Sequence, residues 1–212
     1  MPNATRPSPA TALVVGGGVI GMACALSLQR AGIRTVVIDP AAAPPPASWG
    51  NAGHLATEQV EPLASRASLL TFPRRLFWRG GPLSLPVRDV CAWLPFSLRL
   101  IRASTPRRFR AGKAALASLM RESIPAWRRT LAAIGAAPLM VEDGHFVAWE
   151  TAGGARSGRA AWSRADTGTA SFRDATAEEL AALAACMSTP PVDAIRFVGT
   201  GRILDPGELI ER

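Results

Sequence analysis

Apolar positions along the chain follow two periods. "ALVV" (12–15) and "TVVID" (35–39) are nearly unbroken apolar runs of strand length. Such runs predict strands buried on both faces, as in a covered parallel sheet. Between them a helix is predicted from about Val19 to Ala31, with Ile20, Ala23 and Leu26 as inward candidates. Gly32 follows, where a left-handed cap favours glycine. Right-handed crossover makes the segment a βαβ unit. "PAAAPPPASWGNAGH" (40–54) supports no period, and its prolines and glycines predict a loop. From 62 to about 135 the tendency is helical with interrupting prolines. "AALASLMRESIPAWRRTLAAIG" is the best helix there, and Pro125 is expected to interrupt it.

The last third mixes the periods. "PLMVEDGHFVAWE" predicts two strands joined as a hairpin at Asp143-Gly144. "TAGGARSGRAAWSRADTGTA" fits no single element. "DATAEELAALAACM" predicts a helix with Thr176 and Glu179 spaced as a capping box. "AIRFVGTGRIL" reads as a strand, and "DPGELIER" opens a helix with Asp205 as N-cap and Pro206 at its first position. That helix begins well and the chain stops after its second turn, so the expectation is a truncated protein.

Charge narrows the picture. Net charge is +8, and 23 of the 24 basic residues are arginine because Lys113 is the sole lysine. The charge concentrates in 62–121, with twelve basic residues and one acid, Asp89. There "TFPRRLFWRGGPLSLPVRDVCAWLPFSLRLIRASTPRRFR" interleaves arginine with Phe, Trp and Leu. One reading is a membrane-surface element whose arginines meet anionic lipid. The other, which the interrupting prolines favour, is a helical insert with apolar residues facing the core and arginines facing water. No nucleic-acid-binding motif accompanies the charge, so nucleic acid is set aside as a partner. Cys24, Cys91 and Cys186 match no metal or redox spacing, and no metal site is expected. They fit reduced cytosolic thiols, two of them in apolar surroundings. No secretory leader or membrane span is read in the sequence, which places it in the cytoplasm.

The chemistry centres on residues 16–21. Gly16, Gly18 and Gly21 stand at GxGxxG spacing after a predicted strand and at the start of a helix opened by Val19 and Ile20. Gly16 permits the sharp turn, Gly18 lets a pyrophosphate approach the backbone, and Gly21 allows close packing of helix and strand. The helix N-terminus offers N–H groups and partial positive charge to phosphate. Asp39, 18 residues after Gly21, ends the second strand, where a carboxylate accepts hydrogen bonds from both ribose hydroxyls and disfavours a 2′-phosphate. The glycines alone leave FAD and NAD both open.

"SWGNAGHL" (48–55) separates them. With the fingerprint it resembles the FAD-dependent D-amino-acid oxidase and dehydrogenase superfamily. It is most similar to the bacterial D-amino-acid dehydrogenase small subunit and D-hydroxyproline dehydrogenase group. Further likeness lies in "GNAGHLATEQVEPLAS" and "EDGHFVAWE". In that superfamily a Ser-x-x-Asn-Ala-Gly stretch approaches the flavin, matched here by Ser48, Asn51, Ala52 and Gly53, with His54 and Leu55 completing the loop. Small residues let backbone N–H groups reach a flat ring, and Asn51 both donates and accepts. His54 is placed to position the flavin or reach the substrate, while His145 reads as structural.

The resemblance implies a mixed α/β fold with a Rossmann-like FAD-binding βαβ unit and flavin loop over 11–60. A helical insert then covers 61–135, the beginning of an α+β substrate domain 136–200, and a return helix 201–212. It implies oxidation of a D-amino acid or a hydroxyproline-like D-imino acid by hydride transfer from Cα to FAD, in amino-acid catabolism. Relatives with covalent flavin carry a histidine two residues before the Ala-Gly pair. Gly50 stands there, so non-covalent FAD is expected. The family's later half carries more of the flavin site and the arginine that grips the substrate carboxylate. Neither is located in these 212 residues, the catalytic residues stay unassigned, and little turnover by the chain alone is expected. A respiratory-chain acceptor at the inner membrane face, and a second chain supplying the missing half, are the further partners considered. An NAD-dependent dehydrogenase and a non-catalytic cofactor-binding chain remain the alternatives.

Overall fold

The structure is a computed structural model, and it describes residues 11–40, 47–77, 81 and 83–212. The N-terminal decapeptide and part of the 40–54 loop lie outside the described residues. In chain order the elements are β1 (Thr11–Val15), α1 (Val19–Arg30), β2 (Arg34–Ile38), β3 (His54–Leu55), α2 (Arg66–Thr71) and α3 (Val90–Ala103). They continue with α4 (Pro106–Ala133), β4 (Met140–Val141), β5 (His145–Trp149), α5 (Ala152–Trp162), β6 (Ser171–Asp174), α6 (Ala177–Cys186), β7 (Asp193–Val198), β8 (Gly201–Ile203) and α7 (Pro206–Glu211). They form two compact units. One holds 1–55, 125–144 and 200–212, and the other holds 56–124 and 145–199.

In the first unit β1 and β2 pair in parallel, Leu13 opposite Val36 and Val15 opposite Ile38, with α1 as the crossover. The two strands are not buried on both faces as their composition predicts. Leu13 is 60% exposed and Val15 80%, and Val36 and Ile38 share their face and are exposed with them. The physical reason is that α1 covers only one face, the side of Ala12 and Val14, and among the described residues β1 and β2 pair only with each other. Along α1 the inward positions also differ from expectation. Ala25 is the buried residue, whereas Ile20 and Ala23 are exposed. A second sheet orders β3-β8-β4, all antiparallel. Leu55, Leu131, Ala136, Ile203 and Leu209 are buried in this unit.

The second unit is built on the antiparallel sheet β5-β7-β6. Phe197 and Ile195 are fully buried in its core with Ala170, and Val147, Trp149, Trp162 and Phe172 pack around them. His145 stacks on Phe197 with ring centroids 4.7 Å apart, a packing role. Arg159 on α5 ties β7 to β6 by bonding Asp193 twice, at 2.5 and 2.6 Å, and Asp174 once. Lys113 bridges Glu61 at 3.2 Å and Asp166 at 3.1 Å.

Four local expectations are revised. Met140–Val141 and His145–Trp149 are strands, but they do not form a hairpin: β4 pairs with β8 and β5 with β7. "AIRFVGTGRIL" is two strands, because Gly199 at φ +83° breaks the run and sends β7 and β8 to different sheets. Pro125 does not interrupt α4, and Pro95 lies inside α3. Each proline forfeits one helical bond, and the good helix formers on either side carry the helix past it. All three cysteines are free and exposed, rather than two being in apolar surroundings. The capping box of α6 forms from both directions, Thr176 Oγ1 accepting from Glu179 N–H and Glu179 from Thr176 N–H.

Candidate functional site

The turn from β1 into α1 is built by its glycines for different reasons. Gly16 sits at φ +105° with open space where a Cβ would be, so its backbone conformation calls for glycine. Gly21 is set by proximity: a Cβ there would lie 1.8 Å from the Gly16 carbonyl oxygen and 3.5 Å from a Val14 methyl. Gly18 is the N-cap of α1 with extended backbone, and no side chain caps that end. No acid occupies the first turn of α1, so its leading N–H groups and partial positive charge are left for an anion. Asp39, at the end of β2, accepts a short hydrogen bond from the Gly17 N–H, and Gly16 N–H donates to Ile38 O at 2.7 Å. These bonds fix the carboxylate beside the glycine turn.

The 48–55 loop is held in a comparable way. Asn51 Oδ1 accepts from Gly53 N–H at 2.7 Å, an Asx turn that leaves the Asn51 amide group as its donor toward a ligand. Gly53 is buried at φ +65°, and a Cβ would lie 2.0 Å from the Ile203 carbonyl oxygen. Ile203 N–H donates to Gly53 O at 2.8 Å. The loop is thus fastened to β8, and His54 and Leu55 continue it as β3.

Val19, Ser48, Asn51, Gly53, His54 and Leu55 line one cavity of about 130 Å³. The helix tip and the loop therefore face a shared space. Gly16, Gly18 and Gly21 form the turn beside it, and Asp39 is held by Gly17. Ile20 points to solvent at 77% exposure, and Ala52 is exposed at the loop's tip. Neither lines the cavity. Its remaining wall is Trp127, Ile203, Pro206 and Leu209, none of which the sequence reading selected. Pro206 and Leu209 belong to α7, whose Asp205 cap was legible. Trp127 follows Pro125, where the sequence predicts an interruption of the helix. A second, larger cavity of about 250 Å³ lies along α1, lined by Met22, Leu26 and Gln29 with Trp127, Ile134 and Leu209.

These groups suit the diphosphate and ribose of an adenine dinucleotide. An uncapped helix end suits a diphosphate, the glycine turn carries no side chain in its way, and the Asp39 carboxylate is fixed next to that turn.

The family model described as FAD dependent oxidoreductase (DAO) matches residues 11–212. A D-amino acid dehydrogenase of Sinorhizobium medicae is 32% identical over 124 residues, 57% of this chain and 30% of that protein. One of Cereibacter sphaeroides is 32% identical over 109 residues, 50% of this chain and 25% of that protein. The crystal structure of iminodiacetate oxidase from a Chelativorans species shares the fold at TM-score 0.53 and 16% identity, covering 94% of this chain and 42% of that one. The matched stretches are thus less than half the length of each of these proteins. With a match extending from β1 to the last residue, the chain belongs to the FAD-dependent oxidoreductase family named DAO.

Proposed function

We propose that this chain binds FAD non-covalently between the β1–α1 turn and the 48–55 loop, and serves an oxidoreductase acting on a D-amino acid or a hydroxyproline-like D-imino acid. The observation that carries the reading is the shared cavity, with Val19 at the tip of α1 on one side and Ser48, Asn51, Gly53 and His54 on the other. The turn and α1 would hold the diphosphate, Asp39 the adenosine ribose, and the Asn51 amide with the loop backbone the polar edge of the ring. FAD, when bound, supplies a two-electron acceptor for the hydride leaving the substrate Cα. The chain's own task is positioning. Gly53 and Ile203 keep the loop fixed, so no ordering is left to be done when the ring arrives. Leu55, Trp127 and Leu209 exclude water from the space beside it. Gly50 is exposed, has open space around it and offers no group for a covalent link, which supports a dissociable cofactor. In this reading the unit of 11–55, 125–144 and 200–212 is the cofactor part, and 145–199 belongs to the substrate part.

Titration of flavin fluorescence tests this. The chain should quench FAD with saturation, and NADH should neither quench nor compete. Acid precipitation should release yellow colour into the supernatant. Asp39→Ala removes the carboxylate that would accept from the ribose hydroxyls; loss of even one such bond to a charged acceptor, worth about 1.5–3 kcal/mol, should weaken FAD binding by roughly 10- to 100-fold, and loss of both by more. A chain that takes up no flavin, or an Asp39→Ala variant that binds it equally well, overturns the reading.

A further inference from the structure

We infer that Trp127 is the aromatic contact of the bound flavin, holding it through the indole ring and N–H and quenching its emission. This rests on the flavin reading above and adds a cofactor contact that no motif marks. The segment of α4 from Pro125 onward belongs to the first unit. There Trp127, Leu131 and, just past the helix end, Ile134 recur at spacings of four and three, the stripe of one helix face. Leu131 is fully buried and seats that face. Arg128, on the next flank, bonds Glu142 twice, at 2.6 and 2.5 Å. With the helix anchored on both sides, the indole stands as a wall of the cavity that Ser48, Asn51 and His54 also line. It walls the larger cavity along α1 as well.

The bonding of the indole selects its partner. Trp93 Nε1–H donates to Pro86 O at 2.9 Å, whereas Trp127 Nε1–H has no acceptor among the described residues. An indole N–H taken out of water normally finds one. A plain packing role uses neither the N–H nor the open space beside the ring, and leucine would serve it as well. A flat, π-rich ligand with carbonyl and nitrogen acceptors uses both. The flavin ring is such a ligand. Trp127 is also the one tryptophan lining either cavity, and the chain contains no tyrosine. Indole and phenol groups quench an excited flavin on contact, lending it an electron that returns at once. The first unit holds one other tryptophan, Trp49, which lies against Gly207 and lines neither cavity. Trp49 is therefore the control.

The full chain is loaded with FAD, the emission decay of the bound flavin is recorded, and the affinity is measured by equilibrium dialysis. Bound FAD should emit less than free FAD in wild type. Trp127→Phe should lengthen the bound-state decay and raise its emission severalfold. It should also weaken binding by about 2- to 10-fold, the loss of one neutral hydrogen bond. Trp127→Leu loses the stacked ring as well, and contacts of that kind are worth about 5- to 150-fold in affinity. Trp49→Phe should leave emission and affinity as in wild type. Thermal midpoints without FAD identify any misfolded variant, and the wild-type emission stands whether or not a variant folds. A chain that takes up no FAD overturns the flavin reading and this inference together. A chain that binds FAD overturns this inference alone if its bound flavin emits as brightly as free FAD, if Trp127→Phe changes neither emission nor affinity, or if Trp49→Phe restores the emission instead.

Discussion

Replacing Gly53 with alanine should separate the 48–55 loop from β8. Three costs act together. Alanine at φ +65° occupies left-handed backbone, at about 1–2 kcal/mol. Its Cβ would lie 2.0 Å from the Ile203 carbonyl oxygen and 3.0 Å from its carbon, backbone atoms that cannot swing aside, and overpacking of this kind costs about 1–3 kcal/mol. Relief by moving apart stretches the 2.8 Å Ile203–Gly53 hydrogen bond, worth about 0.5–1.5 kcal/mol. The stiffer unfolded chain returns about 0.4–1 kcal/mol. The net is roughly 2–6 kcal/mol, at about 2–4 °C of midpoint per kcal/mol for a chain of this size. Gly50, three residues earlier, is the control. It has no positive φ and nothing within 4 Å of a Cβ, so Gly50→Ala should stay within about 0.5 kcal/mol of wild type or gain slightly. Thermal and urea unfolding of both variants decide the matter. Equal midpoints for Gly53→Ala and Gly50→Ala would refute the argument that Gly53 is required by its fit against β8.

Gly21 and Glu179 allow two more tests. Gly21→Ala gains about 1 kcal/mol of helix propensity but places a Cβ 1.8 Å from the Gly16 carbonyl oxygen, a backbone clash at the upper end of the about 1–3 kcal/mol that overpacking costs, so a net loss of up to about 2 kcal/mol and a lower midpoint are expected; a midpoint at or above wild type would show that α1 moves off the turn without cost. The Arg173 guanidinium, then the Thr176 N–H and the Arg196 guanidinium, hold the Glu179 carboxyl far below the usual carboxylate range. A lowered carboxyl pKa stabilises fully above the unfolded value near 4.3, and that stability is lost as pH falls toward the folded one. Wild type should therefore lose stability from about pH 5 downward, and Glu179→Gln should show a shallower acid slope in unfolding midpoints measured across pH 7 to pH 3. Parallel slopes for the two proteins would refute the assignment.

What the sequence discloses depends on how locally each feature is determined. Thr176 with Glu179, and Asp205 with Pro206, act within one turn of helix, so spacing alone reveals them. The turn glycines are nearly as local, since Gly16 and Gly21 answer to each other across five residues. Strand partnership is not local. "VEDG" suggests a hairpin because Asp-Gly favours a tight turn, yet β4 and β5 find partners in β8 and β7, more than forty residues away. Likewise "TAGGARSGRAAW" conceals α5 behind three glycines. Gly158 is there because the Trp149 indole lies where a Cβ would be, 2.3 Å from its Nε1, and only the fold brings Trp149 to that place.

The cavity shows the same division within a single site. Its predicted wall, Ser48, Asn51, Gly53, His54 and Leu55 with Val19, comes from two segments whose residue types advertise a ligand: mostly small or polar, and rich in backbone N–H. Its other wall is Trp127, Ile203, Pro206 and Leu209, side chains of ordinary core chemistry delivered by α4, β8 and α7. A ligand needs both kinds. Hydrogen-bonding groups fix orientation and must be specific in type, so they leave a motif. Apolar groups exclude water and need only area and shape, which many residues supply, so they leave none. Ile203 links the two walls: it lines the cavity, while its backbone carbonyl confines Gly53 and its N–H holds the Gly53 oxygen. The residue with no signature in the sequence is thus the one that fixes the loop whose signature is plainest.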